Sequence, residues 1–329
     1  MRSVAYAVPH EGGTALMRVR ELAAMTMTRT RAGVDAGGGD RLALAVPVQY
    51  RMTTTEQMHL ITAPGVRIEQ TRRRLAKLRA EGLVDRITLP QAGRTRVWFA
   101  TGYGARVAAE WPELRGRRPP RLVSDPVAAR LRVSHTLTVT ETGLQFLLDS
   151  HRRGEVCQPL DFLPEVHHPI GGGEAVIPDA LIYYQRGSRN GGGSMLRAFL
   201  EVDRATMGPE RLAAKLRAYA RLHQYAPAPV GRRRTMEPVP EVKAEWRRHY
   251  PLFPRLLFVL DGTGPAGIGN RLRALHAADV DLAVASFLRE VTVLAAPMTD
   301  LLQHGPAAAV WHPVRDPERR VGWMDPQTP

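Results

Sequence analysis

Two carboxylates close a predominantly apolar run near the middle of the chain, in a pattern that is typical of metal binding. Glu201 and Asp203 are separated by one residue, so on a strand both side chains would point to the same face. Asp179 opens the preceding apolar run, and antiparallel pairing of the two runs would place its side chain beside the other two. Three such groups repel one another unless a hard cation such as Mg²⁺ lies between them. The sequence therefore predicts that Asp179, Glu201 and Asp203 bind Mg²⁺.

Lys215 and Tyr219 are the next candidates, because they lie four residues apart on the helix predicted after these carboxylates. Side chains at that spacing share one helical face. We expect Lys215 to orient an attacking water or to neutralise charge on a phosphate, and Tyr219 to contact a nucleic-acid backbone. Together with the three carboxylates, these residues would form a catalytic site for phosphodiester hydrolysis.

A simpler interpretation of the same residues is open as well. Glu201 and Asp203 would then form surface ion pairs with nearby basic residues, namely Arg204, Arg211 or Lys215. Such exposed pairs contribute little to stability and indicate no chemistry. Tyr219 would be a buried anchor whose hydroxyl is hydrogen-bonded.

The elements that must position these residues follow a mixed α/β order. The patterns predict helices near 127–152, 209–225 and 266–277, and strands near 162–168, 176–184, 196–203, 254–260 and 280–286. Helices alternating with strands in this way favour an α/β sandwich, of the α+β type. His135, on the first helix, is interpreted as a hydrogen-bonded packing histidine, although that helix could aim it at the same site.

An earlier part of the chain has the element order of a winged helix-turn-helix. Residues 53–62 and 66–82 have helical spacing and are joined by a turn at Pro64-Gly65, and Gly82 ends the second helix. The runs LVDRITL and TRVWFAT alternate and flank a short turn, which predicts a hairpin. We expect the basic residues of the second helix and of the hairpin tip to contact DNA: Arg67, Arg72, Arg73, Arg74, Lys77, Arg79, Arg94 and Arg96. A solvated basic face or a protein-interaction module would have the same pattern.

The charge balance also favours a nucleic acid as partner. The chain has 46 Lys and Arg against 32 Asp and Glu, a net charge of +14 and a pI near 10.8. Residues 1–127 hold 21 of those basic residues but only 11 of the acidic ones, so the excess lies mainly in the N-terminal part. We expect double-stranded DNA as the partner and a homodimer as a plausible state, since many helix-turn-helix proteins read paired half-sites.

Cysteine usage and hydropathy indicate the cellular compartment in which the protein is expected. Cys157 is the single cysteine, which excludes an internal disulfide framework and fits a reducing cytoplasm. No uninterrupted apolar stretch reaches the roughly 20 residues that a membrane helix needs, so we expect no membrane association. The predicted organisation is a flexible segment over 1–40, a winged helix-turn-helix domain over 41–112, a linker over 113–126 and the α/β domain over 127–329.

The α/β part resembles the PD-(D/E)XK nuclease superfamily. Pro178-Asp179 matches the PD element, and Glu201-Val202-Asp203 occupies the (D/E)XK element with Asp203 in place of the lysine. Some members carry that lysine on the next helix, where Lys215 stands here. The spacing of Lys215 and Tyr219 is also similar to the Q-x-x-x-Y element of RecB-like members. The resemblance implies a restriction-endonuclease-like fold and a Mg²⁺-dependent nuclease site.

A wider resemblance, over about residues 50–312, is to the replication-relaxation family of mobile elements. It depends on RRRLAKLRAEGLVDR, VSHTLTV, IPDALI, LEVDRATMGPERLAAKLRAY and GPAAAVWHP. The family implies a role in plasmid replication and DNA relaxation. Three functions follow as hypotheses: a Mg²⁺-dependent DNA nickase or endonuclease, a non-catalytic DNA-binding regulator with a degenerate nuclease fold, and, last, a relaxase that uses Tyr219 as nucleophile.

Overall fold

The computed structural model describes five stretches of the chain, namely residues 36–89, 93–114, 126–187, 193–227 and 244–326. We call residues 36–114 the N-terminal region and residues 126–326 the C-terminal region.

The N-terminal region contains the predicted helices near 53–62 and 66–82 and the predicted hairpin, with further helices and a short strand beside them. Its elements are α1 (Ala36–Tyr50), β1 (Thr53–Thr54), α2 (Thr55–Thr62), α3 (Ile68–Ala80), β2 (Val84–Leu89), β3 (Thr95–Ala100) and α4 (Gly102–Ala109). Thr54 and Gln57 cap the start of α2 reciprocally. Leu75 and Leu78 bury one face of α3. β2 and β3 form the predicted antiparallel hairpin, and β1 pairs with β3 to give a three-stranded sheet of order β1-β3-β2.

The glycine-rich stretch before this core is helical at residues 36–40, where the sequence predicts a flexible segment. Residues 1–35 lie outside the described residues. Residues 36–40 form the first turn of α1, although glycine is a poor helix former. A contact with α3 explains the difference, because Asp40 accepts hydrogen bonds from Arg74 at 3.0 Å and from Lys77 at 2.9 Å.

The C-terminal region is built around a larger sheet. Its helices are α5 (Pro126–Arg153), α6 (Glu210–Gln224), α7 (Pro265–Ala277), α8 (Leu282–Glu290) and α9 (Met298–His304). Its strands are β4 (Phe162–Pro164), β5 (His168–Pro169), β6 (Ala175–Val176), β7 (Ala180–Gln185), β8 (Met195–Asp203), β9 (Arg255–Leu260), β10 (Val293–Pro297) and β11 (His312–Pro313).

Six of these strands form one mixed sheet in the order β11-β10-β9-β8-β7-β4. β8, β9 and β10 run parallel, whereas β7 pairs antiparallel with β8 and β4 pairs antiparallel with β7. Alternate residues of each central strand point to opposite faces. Ala198, Leu200 and Val202 of β8 pack against one cluster, and Phe199 packs against the other. The first cluster contains residues of α5 and the N-terminal region, and the second contains residues of α6, α7 and α8. The predicted mixed α/β class is therefore confirmed.

One predicted strand is a helix. Residues 280–286 are predicted as a strand, but α8 occupies Leu282–Glu290 and the strand follows later, as β10. Asp281 accepts hydrogen bonds from the backbone N–H groups of Ala283 and Val284, which starts the helix. Val284, Phe287 and Leu288 then bury one helical face, so the spacing of three and four outweighs the β-branched residues of the segment.

The two regions share a buried core. Leu44 and Met58 of the N-terminal region belong to the same hydrophobic cluster as Trp311 and Trp323 near the C-terminal end. The rings of Tyr50 and Phe162 stack across the junction with centroids 4.8 Å apart. The predicted division into domains stays a prediction, but the described parts of both regions pack as neighbours. Among the described helices, none has both the length and the apolar character needed to cross a bilayer.

Candidate functional site

The pairing of β7 with β8 brings Asp179 to the end of β8, as the sequence predicts. Ala180 lies opposite Leu200, so the residue before β7 lies beside the last residues of β8. Asp179 accepts a hydrogen bond from the backbone N–H of Val202 at 2.7 Å. The side chain of Asp179 therefore contacts the backbone of β8 one residue after Glu201.

Glu201 lies inside the protein, with both carboxylate oxygens engaged by α6. Its side chain is 3% exposed. Tyr219 donates to one oxygen at 2.7 Å, and the ammonium group of Lys215 contacts the other. α6 presents these two side chains together because its buried positions, which include Leu212 and Leu216, anchor that face to the sheet. The prediction that Lys215 and Tyr219 share a face is confirmed.

Lys215 supplies the positive charge of this group. Its ammonium lies 4.0 Å from Asp179 as well as in contact with Glu201, while its side chain is 44% exposed. Burial lowers the pKa of Lys215, but the nearby carboxylates outweigh burial and raise it above the usual value. Burial raises the pKa of Glu201 to about 7, with Asp179 adding to the effect and Lys215 opposing it. One partly exposed ammonium therefore faces two carboxylates, of which that of Glu201 is buried.

His135 completes the group from the opposite side. Its Nε2 lies 3.0 Å from Asp179, and its side chain is partly exposed. Burial alone would raise the pKa of Asp179, but the hydrogen bond from His135 and the charge of Lys215 outweigh burial and lower it. Of the two roles that the sequence allows for His135, the structure shows the one in which α5 aims it at the site.

Asp203 belongs to a different set of contacts. Arg271 of α7 contacts its carboxylate, and the same guanidinium donates to the carbonyl of Met207 at 3.0 Å. Arg271 is buried, so this pair is internal and differs from the surface pairs with Arg204 or Arg211 that the sequence suggested. Sequence reasoning missed Arg271, which lies 68 residues away on a helix whose docking no local pattern reveals.

The eight basic residues predicted to contact DNA fall into two classes. Four have an acidic partner within the N-terminal region: Arg72 with Glu69, Arg74 and Lys77 with Asp40, and Arg79 with Asp85. The other four are exposed and form no ion pair with any described residue: Arg67, Arg73, Arg94 and Arg96. Arg67 immediately precedes α3, and Arg94 lies at the tip of the hairpin. The second class presents uncompensated positive charge to solvent.

The sequence comparison decides the family. The family model described as replication-relaxation matches residues 48–232, which is more than half of the chain. The chain belongs to the replication-relaxation family. No curated protein sequence matches it. A crystal structure of a mutant MarR from E. coli is similar at 16% identity, covering 46% of this chain and 99% of that one. Its TM-score of 0.21 is too low to support any conclusion about the fold.

In this replication-relaxation protein, both groups of candidate residues lie within the matched segment. The segment includes the four uncompensated arginines as well as His135, Asp179, Glu201, Lys215 and Tyr219. The resemblance predicted from sequence extends to about residue 312, whereas the match ends at residue 232. Arg271 and Trp311 therefore lie outside it.

The predicted Mg²⁺ site fits the geometry only in part. Within the described residues, no group of three or more His, Cys, Asp or Glu side chains is arranged to hold a metal ion. Asp203 does not fit as a third ligand in this arrangement, because Arg271 holds its carboxylate. Asp179 and Glu201 do share a single cation, the ammonium of Lys215. These two carboxylates lie close enough to share one cation, and Mg²⁺ binding stays a prediction.

Tyr219 has little access to a substrate. Its side chain is 1% exposed, and its hydroxyl donates to Glu201. Burial, together with the charge of Glu201, raises its pKa well above the usual value, which disfavours the phenolate. These observations favour an anchoring role for Tyr219 over contact with a nucleic-acid backbone.

Proposed function

We propose that this replication-relaxation protein binds double-stranded DNA through its N-terminal region and acts in the replication or relaxation of the DNA of a mobile element. The observation that carries the proposal is the set of four exposed arginines without an acidic partner among the described residues: Arg67, Arg73, Arg94 and Arg96. Uncompensated arginines attract the phosphate backbone and release its counterions on binding.

The order of elements supports the same proposal. A helix, a short strand, two helices and a hairpin that closes a small sheet is the order of winged helix-turn-helix domains. In such domains the second helix of the turn enters the major groove and the hairpin contacts the backbone. α3 carries Arg73, and the hairpin carries Arg94 and Arg96, so basic side chains occur on both elements that would contact DNA.

Fluorescence anisotropy with a labelled duplex tests this proposal directly. A variant with Arg67, Arg73, Arg94 and Arg96 all changed to Gln should bind about a hundredfold more weakly at 0.1 M salt. The slope of log affinity against log salt should fall by about 3 to 4.

A matched variant controls for net charge. It changes four exposed arginines of the C-terminal region that have acidic partners to Gln: Arg152, Arg217, Arg221 and Arg248. This variant has the same net charge as the first, and its affinity should stay close to that of the native chain. Equal losses in the two variants would show that binding depends on overall charge and would remove the proposed interface.

DNA nicking is the second candidate function, in keeping with the likeness to PD-(D/E)XK nucleases. The observation that favours it is the convergence of Asp179, Glu201 and Lys215 near the carboxyl end of β8. Asp179 and Glu201 would hold a divalent ion, which when bound would supply the positive charge that activates a water molecule. Tyr219 fixes the carboxylate of Glu201, and His135 fixes that of Asp179. Lys215, whose side chain reaches solvent, would neutralise charge on the phosphate.

A plasmid assay separates the candidates. The native chain should convert supercoiled plasmid to the nicked form with Mg²⁺, and Glu201→Gln should abolish this while binding DNA with native affinity. Glu174→Gln, which removes an exposed carboxylate, is the matched control and should nick normally. Equal cleavage by the native chain and Glu201→Gln would exclude the site. DNA binding without strand scission would support the non-catalytic regulator, and a covalent adduct lost in Tyr219→Phe would support a relaxase.

A further inference from the structure

An ion pair at the junction of the two regions leads directly to Asp179. The guanidinium of Arg51, just after α1, contacts the carboxylate of Glu165, just after β4. The backbone N–H of Glu165 then donates to the carbonyl of Asp179 at 3.3 Å. Next to it, Pro164 of β4 lies opposite Ala180 of β7. A displacement of Arg51 would therefore act on the backbone that carries Asp179.

A second connection reaches the same carboxylate by way of α5. The side-chain amide of Gln57, at the start of α2, donates to Glu141 at 2.8 Å and to the carbonyl of Leu137 at 3.3 Å. His135 lies on the same helix and hydrogen-bonds Asp179. Both the side chain and the backbone of Asp179 are thus tied to parts of the N-terminal region that support α3.

The backbone at the first connection is in an unusual conformation at both ends. Arg51 has a φ of 69° and Glu165 has a φ of 51°, in the left-handed region that side-chain-bearing residues rarely adopt. Among the described residues other than glycine, only Arg94 and Ala205 share this feature. Such conformations persist where surrounding contacts enforce them, and they concentrate at functional sites. Both partners of this ion pair have such a conformation, which indicates that contacts around Arg51 and around Glu165 hold the pair in place.

We propose that Arg51 and Glu165 form a clasp, in which both are positioning residues that hold Asp179 in register with the N-terminal region. As a consequence, DNA bound to the N-terminal region stabilises the arrangement of Asp179, Glu201 and Lys215. This second part rests on the proposed DNA binding, whereas the first part does not. Loss of the clasp would leave the shared hydrophobic core in place but loosen β7, the strand that follows Asp179.

Hydrogen exchange of the full chain, followed by mass spectrometry, tests the clasp without DNA. In Arg51→Leu, amides of residues 179–185 should exchange about tenfold faster than in the native chain. Arg41→Leu is the matched control, because Arg41 pairs with Glu113 inside the N-terminal region, and exchange at 179–185 should stay native. Glu165→Gln removes the other partner without truncating Arg51 and should give the same faster exchange. It serves as the test if Arg51→Leu folds poorly.

Charge exchange distinguishes the clasp from a general packing role. The double variant Arg51→Glu with Glu165→Arg should restore slow exchange at 179–185. The proposal is overturned if this double variant exchanges as fast as Arg51→Leu, or if Arg51→Leu and Glu165→Gln leave those amides at native rates.

Added duplex DNA tests the coupling. DNA should slow exchange at residues 68–80 in every variant, but at 179–185 only where the clasp is intact. Slowing at 68–80 with no change at 179–185 in the native chain would overturn the coupling. If DNA leaves 68–80 unchanged, the proposed DNA binding fails, and the DNA-free measurements still decide whether the clasp exists.

Discussion

The N-terminal and C-terminal regions use the same residue types in opposite ways. On α3 the ion pairs with Glu69 and Asp85 are exposed, and those with Asp40 are partly exposed. At the end of β8 the carboxylate of Glu201 is buried, and it contacts the partly exposed Lys215 and the buried Tyr219. Exposed pairs contribute little to stability but leave charge available to a partner. A buried pair is costly to break, because the remaining charge has no water to solvate it.

Of the changes proposed here, removal of Lys215 should lower the free energy of unfolding the most. A small loss would contradict the contrast between the buried carboxylate of Glu201 and the exposed ion pairs. Lys215→Met leaves Glu201 buried beside Asp179, and we expect the free energy of unfolding to fall by about 3 kcal/mol. Urea denaturation at pH 8 measures this change.

Two variants sharpen the result for Lys215. Arg221→Met, on the same helix, removes an exposed pair with Glu174 and should cost about 0.5 kcal/mol or less. Combining Lys215→Met with Glu201→Gln should recover much of the loss, since no buried charge is left without its partner. Similar losses for Lys215→Met and Arg221→Met would show that burial does not distinguish the two pairs.

The pH dependence of stability should also separate the buried group from the surface. The pKa of Glu201 is raised to about 7, so between its unfolded value near 4.3 and pH 7 the folded chain holds a proton that the unfolded chain lacks. Stability from this group is therefore fully present below about pH 4 and falls as the pH rises to 7, by on the order of 1 to 3 kcal/mol. Asp179, with a lowered pKa, loses its contribution only at more acidic pH, and Lys215, with a raised pKa, only at more alkaline pH.

Glu201→Gln isolates this contribution from the other titrating groups. We expect the unfolding free energy of the native chain, relative to that of this variant, to fall as the pH rises from 5 to 8, with both measured in EDTA. A difference that is constant over this range would contradict the raised pKa of Glu201.

Neighbouring arginines on α3 should differ in their effect on DNA binding. Arg73→Glu should weaken binding about tenfold and reduce the salt slope by about 1, because Arg73 has no acidic partner among the described residues. Arg74→Glu should act mainly on stability, since the new carboxylate would face Asp40. Anisotropy titrations at several salt concentrations, with melting curves for both variants, measure the contrast. Equal salt slopes for the two variants would show that an arginine with an acidic partner in the N-terminal region contacts DNA as much as one without.

The smallest expected effect concerns Asp40. Asp40→Asn would release the side chains of Arg74 and Lys77 from a carboxylate, and DNA affinity should rise about twofold. Hydrogen exchange at residues 40–43, the first amides of α1 with intrahelical acceptors, should become faster, because the start of the helix loses its contact with α3. A fall in affinity would indicate that Asp40 orients these two residues for DNA.

Local patterns in the sequence were sufficient where one element determines the outcome. Antiparallel pairing of the two apolar runs that contain β7 and β8 predicts the place of Asp179 beside β8. Helical spacing predicts that Lys215 and Tyr219 share one helical face. The basic character of α3 is likewise visible in the sequence.

Contacts between distant elements were beyond such patterns. The partner of Asp203 is Arg271, because α7 returns along the sheet beside the end of β8. Residues 36–40 are helical where Asp40 contacts Arg74 and Lys77, and the low helix propensity of glycine would not predict this. For α8, the cap at Asp281 and the buried face outweighed a composition that suggests a strand.

The order of strands in the large sheet limits how this chain can be divided. A fragment that ended at residue 232, where the family match ends, would lack β9, β10 and β11. β8, which is flanked by β7 and β9 in the intact sheet, would then become an open edge with unpaired backbone groups. Such edges recruit strands from other chains. A fragment trimmed to the matched segment should therefore self-associate, because only the intact sheet covers that edge of β8.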